Sequence, residues 1–224
     1  MDVQLSQSKS TQLGISVVQI VREEYEMILL SRIFDNPLGK KLVFRGGTAL
    51  RLAYGSQRFS DDLDFSQTDP ISTEEFTKWA EKTARDNSNM ELVEALKKYF
   101  TLFALFKIKD PVLPVPISIK VEISIRKEAW KKDKDYFLMS IRSEVTPLTL
   151  LAQVASLTRI KKEKLTIKPL RIRDIFDLWF IGQQLKQPYP MQFRPFSPNE
   201  VKRELYRLLS AGARELIKSW LPNG

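Results

Sequence analysis

The residues best suited to chemistry lie in two short stretches, Gly46-Gly47-Thr48 and the run Arg58-Phe59-Ser60-Asp61-Asp62-Leu63-Asp64-Phe65. Asp62 and Asp64 are spaced i and i+2. On a strand, that spacing projects both carboxylates to one face and sends Leu63 and Phe65 into the core. Two neighbouring carboxylates repel unless a cation lies between them. The arrangement suits a two-metal site, in which ions about 3.5 to 4 Å apart hold phosphate oxygens and lower the pKa of an attacking hydroxyl. Glu122, on the polar face of a second strand, is the candidate third ligand. Asp62 and Asp64 would bridge the metals and Glu122 would hold the one on the nucleophile side. The glycine pair lets backbone N–H groups approach phosphate oxygens at a helix N-terminus, where the helix dipole favours negative charge, and Thr48 adds a hydroxyl.

Several elements must position these groups. Leu42 to Phe44 reads as a strand that meets the glycine turn and continues as a short helix to Gly55. Before it, Val17, Ile20, Val21, Tyr25, Ile28, Leu29 and Ile33 form one apolar stripe, which predicts a long helix over 11–33. Ser72-Thr73-Glu74-Glu75 predicts a capped helix running to about Asn87. Residues 99–109 predict a strand. The cleanest alternation follows it, with Ile117, Ile119, Val121, Ile123 and Ile125 on one face and Ser118, Lys120, Glu122, Ser124 and Arg126 on the other. Beyond residue 140 the pattern turns helical: one helix opening at Thr146-Pro147 and running through about Lys162, a second from Ile172 to Leu185, and a third from Ser197-Pro198 towards Leu221. The expectation is an α/β (α+β) N-terminal domain over 1–142 and a helical C-terminal domain over 143–224.

Composition narrows the chemistry. The 224 residues include no histidine and no cysteine. That excludes thiol nucleophiles, disulfides, imidazole bases and zinc sites built on nitrogen or sulfur. Carboxylates, hydroxyls, Lys, Arg and hard cations such as Mg²⁺ remain. The longest apolar runs fall short of the ~20 residues a bilayer span needs, and no signal core follows the first residues, so the expected location is the cytoplasm, without membrane contact. The chain carries a net charge of +9, and thirteen basic residues stand against five acidic ones between Arg126 and Arg173. Such a segment points to a polyanionic partner, for which Arg159, Lys161, Lys162, Lys164, Arg171 and Arg173 are the candidate contacts.

The run FRGGTALRLAYGSQRFSDDLDF, the strand IKVEIS and the later RIRDIFDLWFI resemble the AbiEii/AbiGii toxin-type nucleotidyltransferases, a family with a DNA polymerase β-like nucleotidyltransferase fold. The resemblance implies a nucleotidyltransferase domain with a mixed sheet, two Mg²⁺ ions, a nucleoside triphosphate (NTP) substrate and an antitoxin partner. It places Gly46, Gly47 and Thr48 on phosphate, with Ser60 in the same motif, and Asp62 and Asp64 on metal. Asp174 falls at the rim of the site, although its i, i+3 spacing to Asp177 beside Arg171 and Arg173 also fits a surface ion pair. The family's lysine in the first C-terminal helix, in a pattern like L-A-x-K, falls on Val154 here. Lys120 is then the expected stand-in as a catalytic cation, with Arg51 and Arg58 as further nucleotide contacts.

The predicted activity is Mg²⁺-dependent transfer of a nucleoside monophosphate from an NTP to an acceptor, the tRNA 3′ end first among them, in a toxin role. Two alternatives stand beside it: adenylylation of a small molecule, and a catalytically impaired nucleotidyltransferase-fold protein that binds RNA or a protein partner.

Overall fold

A computed structural model describes residues 1–221. The N-terminal helices are α1 (Val3–Leu13) and α2 (Val17–Phe34). Gly14, in the left-handed region at φ 60, terminates α1, so the expected single helix over 11–33 is two helices. Strand β1 (Leu42–Arg45) leads directly into α3 (Gly46–Tyr54), and β2 (Asp62–Gln67) and α4 (Thr73–Arg85) follow. Ser72 caps α4 by accepting the Glu75 N–H, as the sequence predicts. Such a cap contributes about 1 kcal/mol.

Next come β3 (Met90–Lys98), β4 (Thr101–Ile108), β5 (Ile117–Ser124), β6 (Tyr136–Arg142) and β7 (Thr149–Ala155). All seven strands form one mixed sheet in the order β3-β4-β5-β2-β1-β7-β6. Strand β3 is rich in the helix formers Glu, Leu, Ala and Lys, and pairing with β4 along its length overrides that preference.

The helix expected from Thr146-Pro147 is not there. The Thr146 hydroxyl accepts the Leu148 N–H at 3.4 Å, but the turn ends at once and residues 149–155 pair with β6 and run parallel to β1. The sheet therefore extends past the expected start of the helical part at 143. Helix α5 (Leu157–Thr166) begins only after β7, capped by Ser156, and α6 (Ile172–Gln184) follows. The expected third helix is also divided, into α7 (Pro198–Leu205) and α8 (Ala211–Lys218). In the gap, the Leu208 carbonyl accepts the Phe59 N–H at 2.8 Å, a bond to the segment before β2 that a continuous helix would forbid.

Alternation along the strands separates core from site. Phe44, Leu63, Phe65, Val121 and Ile123 face α2 and α4, where Met27, Leu30, Phe76 and Trp79 complete the main core. Burial of each such side chain contributes about 1.5 to 3 kcal/mol. A one-residue slip of β2 would drive Asp62 and Asp64 into that core, so the apolar set fixes which way the carboxylates point. On the opposite face, Val43, Leu50 and Ala155 pack against Ile160, Phe180 and Ile181, which seats α5 and α6 beside the acidic strands. Phe176 and Phe180 are buried, and Trp179 packs between Phe176 and Trp220. Among the described residues no helix is long and apolar enough to cross a membrane.

Candidate active site

Strands β2 and β5 are parallel, with Asp62 opposite Lys120 and Asp64 opposite Glu122. All four side chains therefore share the polar face of the sheet. Asp62, Asp64 and Glu122 line a cleft of about 330 Å³. Burial raises the Asp62 carboxyl above its ordinary range, Lys120 opposes the rise, and Asp64 and Asp61 add to it. Glu122 is raised by burial and then by Asp64 and Asp62. The positive charge nearby, from Lys120 and Arg45, does not offset burial and mutual repulsion on the acidic face. Asp61, by contrast, is paired with Arg22 at 3.5 Å and Arg207 at 2.9 Å, which removes it from the cleft set.

The expected glycines sit at the mouth of this face. Gly46 has φ +82, and a methyl group there would lie 3.0 Å from Asp64 Cβ. A methyl on Gly47 would lie 2.8 Å from Ser60 Oγ and meet the Arg58 guanidinium. Both residues line the cleft, and no side chain caps the α3 N-terminus that they form. Its first N–H groups have no partner within the helix. Thr48 departs from expectation: it is buried, and its hydroxyl donates to the Asp62 carbonyl at 2.5 Å. The Thr48 hydroxyl thus ties α3 to β2 and is turned away from the cleft.

The opposite wall is cationic. Lys164 of α5 is buried, with Nζ 3.0 Å from Asp174 Oδ1 and 2.7 Å from Asp177 Oδ2. Arg58, also buried, grips both Asp177 oxygens at 2.7 and 2.8 Å. Arg171 grips Asp174 at 2.6 and 3.1 Å. Burial alone would raise Asp177, but Arg58 and Lys164 outweigh it and hold its carboxyl at about 2. Asp174 is likewise held below its usual range: burial opposes this, and Arg171 and Lys164 overcome it. Three cations against two carboxylates leave the wall positive. Arg173 in this wall and Arg45, beside Asp64 on the sheet, both line the cleft with buried Nε atoms that donate no hydrogen bond, although Arg173 lies 4.0 Å from Glu204 and Arg45 3.3 Å from Glu163.

Several expectations therefore change. Asp174 belongs to a buried network and not to a surface pair. Val154 lies fully buried on β7, whereas the first helix after the sheet brings Lys164 into the cleft wall. The first helix after the sheet starts only at Leu157, and its buried lysine is Lys164, ten residues after Val154. Lys164 is thus not a surface contact for nucleic acid. Lys120 stands half-exposed at the margin, 3.6 Å from Asp62. Arg51 is turned away, pairing with Glu23 at 3.0 Å and Glu144 at 3.3 Å beside a second cavity. Arg171 and Arg173 line the cleft itself. Arg159 is committed to Glu128 and Glu163 over the Trp130 ring, and Lys161 donates to Gln187. Of the six expected basic contacts, only Lys162 stands exposed without such a commitment.

Sequence reasoning did not single out Arg45 or Asp177. The Asp177 signal was present, since i and i+3 place Asp174 and Asp177 on one helix face. Arg45 follows from its place directly before the glycine pair and opposite Asp64 in the β1–β2 register.

A mixed sheet with paired aspartates, facing a third carboxylate and an uncapped glycine helix terminus, is the layout of a nucleotidyltransferase. The family model for nucleotidyl transferase AbiEii toxin, type IV TA system, matches residues 28–207, and the chain belongs to that family of toxin nucleotidyltransferases. In fold it is similar to MenT4, a nucleotidyltransferase toxin from Mycobacterium tuberculosis H37Rv, with a TM-score of 0.62 and 18% identity over 91% of this chain and 68% of that one. It is also similar to JHP933 from Helicobacter pylori, with a TM-score of 0.57 and 21% identity over 84% of this chain and 73% of that one. Among curated proteins none matches.

Proposed function

We propose that the protein transfers a nucleoside monophosphate from an NTP to an acceptor RNA, the tRNA 3′ end, forming a bond to its hydroxyl oxygen and releasing pyrophosphate, with Mg²⁺ held by Asp62, Asp64 and Glu122, and that it acts in the cytoplasm as a toxin whose partner is a cognate antitoxin. The observation that carries this reading is the placement of Asp62, Asp64 and Glu122 across the cleft from Lys164, Arg171 and Arg173, with Arg45 beside Asp64.

The donor set fits the ion. Its ligands are hard carboxylate oxygens, and burial with mutual repulsion raises Asp62 and Glu122, a state that a divalent cation relieves. Among the described residues no three acidic side chains are grouped so as to hold a metal ion as they stand, and Asp62 is partly engaged by Lys120. Bound there, Mg²⁺ would neutralise phosphate charge and sharpen the acceptor hydroxyl as a nucleophile.

The chain's own residues do the rest. Gly46 and Gly47 let the α3 N–H groups reach a phosphate oxygen. Arg171, Arg173 and Arg45 provide guanidinium groups, in a form suited to paired phosphate oxygens, for the triphosphate. Lys164 and Arg58 hold Asp174 and Asp177, which keeps that wall at a fixed distance. With no histidine in the chain, the Glu122 carboxylate on β5 is the protein group placed to receive the acceptor hydroxyl's proton.

Incubation with each labelled NTP, Mg²⁺ and total tRNA tests the proposal. Label should appear on tRNA with the wild type and vanish with Asp64→Ala. Absence of transfer with every NTP, despite RNA binding, would leave a binding protein.

A further inference from the structure

The β3–β4 hairpin closes on two residues, Tyr99 and Phe100, between the paired Lys98 and Thr101. Two-residue hairpin loops favour Asn-Gly, because their first position takes a positive φ. Tyr99 occupies that position at φ 48, an unfavourable region for a bulky side chain. The core gains nothing from it, since Tyr99 is 93% exposed and Phe100 60% exposed.

The turn is anchored to the cleft. The Phe100 carbonyl accepts the Ile125 N–H at 2.8 Å, and Thr101 lies opposite Ser124 on β5. The Arg126 guanidinium sits 5.8 Å from the centre of the Phe100 ring, and both Ser124 and Arg126 line the cleft. From Glu122 to Ser124 is a step of two residues, about 7 Å along the strand. Lys97, Lys98 and Lys127 are exposed around the tip, and Lys98 meets Glu94 at 3.5 Å.

We infer that the Tyr99–Phe100 tip is a stacking platform for unpaired bases of a single-stranded RNA acceptor, whose backbone passes Arg126 into the cleft. Exposed rings offer a surface to any base, because every base has a π face, while the surrounding cations follow the phosphates. A protein partner would be equally served by the rings but not by the cations. The inference rests on the RNA-acceptor reading above and adds where the strand is held.

The test uses the full chain and a fluorescein-labelled single-stranded oligoribonucleotide, beside a blunt RNA duplex of the same length. Tyr99→Ala with Phe100→Ala should weaken single-strand binding by about tenfold for each ring. Its salt dependence should not change, since no charge is removed. Tyr99→Phe should bind like the wild type, and thermal melting should be alike in all three proteins. Unchanged affinity in the double alanine variant, or an equal loss on the blunt duplex, overturns the platform while leaving transfer to RNA in place. If the wild type neither binds nor labels RNA, the acceptor reading itself fails, and the platform with it.

Discussion

Arg58 and Asp177 form a buried two-bond pair, 2.7 and 2.8 Å long, between residues 119 positions apart in the chain. The pair joins the segment before β2 to α6. It holds the cationic wall of the cleft against the acidic sheet face. Arg58→Met would leave Asp177 buried with only Lys164, at a cost of about 3 to 5 kcal/mol. Arg58→Met with Asp177→Leu should recover most of that loss, because the uncompensated charge goes too. Urea denaturation of the two variants checks the difference.

Asp64→Asn should separate activity from stability. Losing one ligand of the cation site should lower transfer on the order of a thousandfold or more. Removing a like charge beside Glu122 and Asp62 should instead leave the fold unharmed or more stable, by about 0.2 to 1 kcal/mol. Transfer assays and melting temperatures on one preparation should move in opposite directions.

Gly46 and Gly55 provide a matched pair. Both have positive φ, +82 and +75, but a methyl at Gly46 meets Asp64, whereas one at Gly55 has nothing within 4 Å. Each alanine variant should lose about 1 to 2 kcal/mol through the backbone alone. Only Gly46→Ala should displace Asp64 and abolish transfer. Equal activity in the two variants would remove Gly46 from the site.

The pH dependence has a defined sign. The Asp177 carboxyl sits at about 2 in the folded protein, below its ordinary 3.8. Its contribution is therefore complete above pH ~4 and is lost as the pH falls towards 2, and it amounts to about 2 kcal/mol. Asp177→Asn should flatten this part of the acid unfolding curve. Denaturant titrations between pH 5 and 2 measure it.

The sheet-borne half of the site was readable in the sequence because a period of two admits one solution: Leu63 and Phe65 must be buried, so Asp62 and Asp64 cannot be. Glu122 followed by the same logic from Val121 and Ile123. The other half was not readable, because its geometry is tertiary. Thr146-Pro147 is a sound local start signal, yet β1 and β6 claim residues 149–155 as a strand and move the helix that bears Lys164. Arg51 and Arg58 look alike as arginines near a glycine turn. Only the packing of α2 and α6 assigns one to Glu23 and the other to Asp177.

The late position of β7 has a consequence for the growing chain. Strand β1 gains its parallel neighbour only when residues 149–155 arrive, and Arg58 gains its partner later still, with α6. Domains on the ribosome fold as their segments emerge, and distant pairings form last. A nascent chain stopped before α6 carries all three carboxylates but lacks Asp174 and Asp177, the groups that hold Arg58, Lys164 and Arg171 in the opposite wall. The cleft is therefore complete only after α6 has been made, although its three carboxylates are in place from β5 onward.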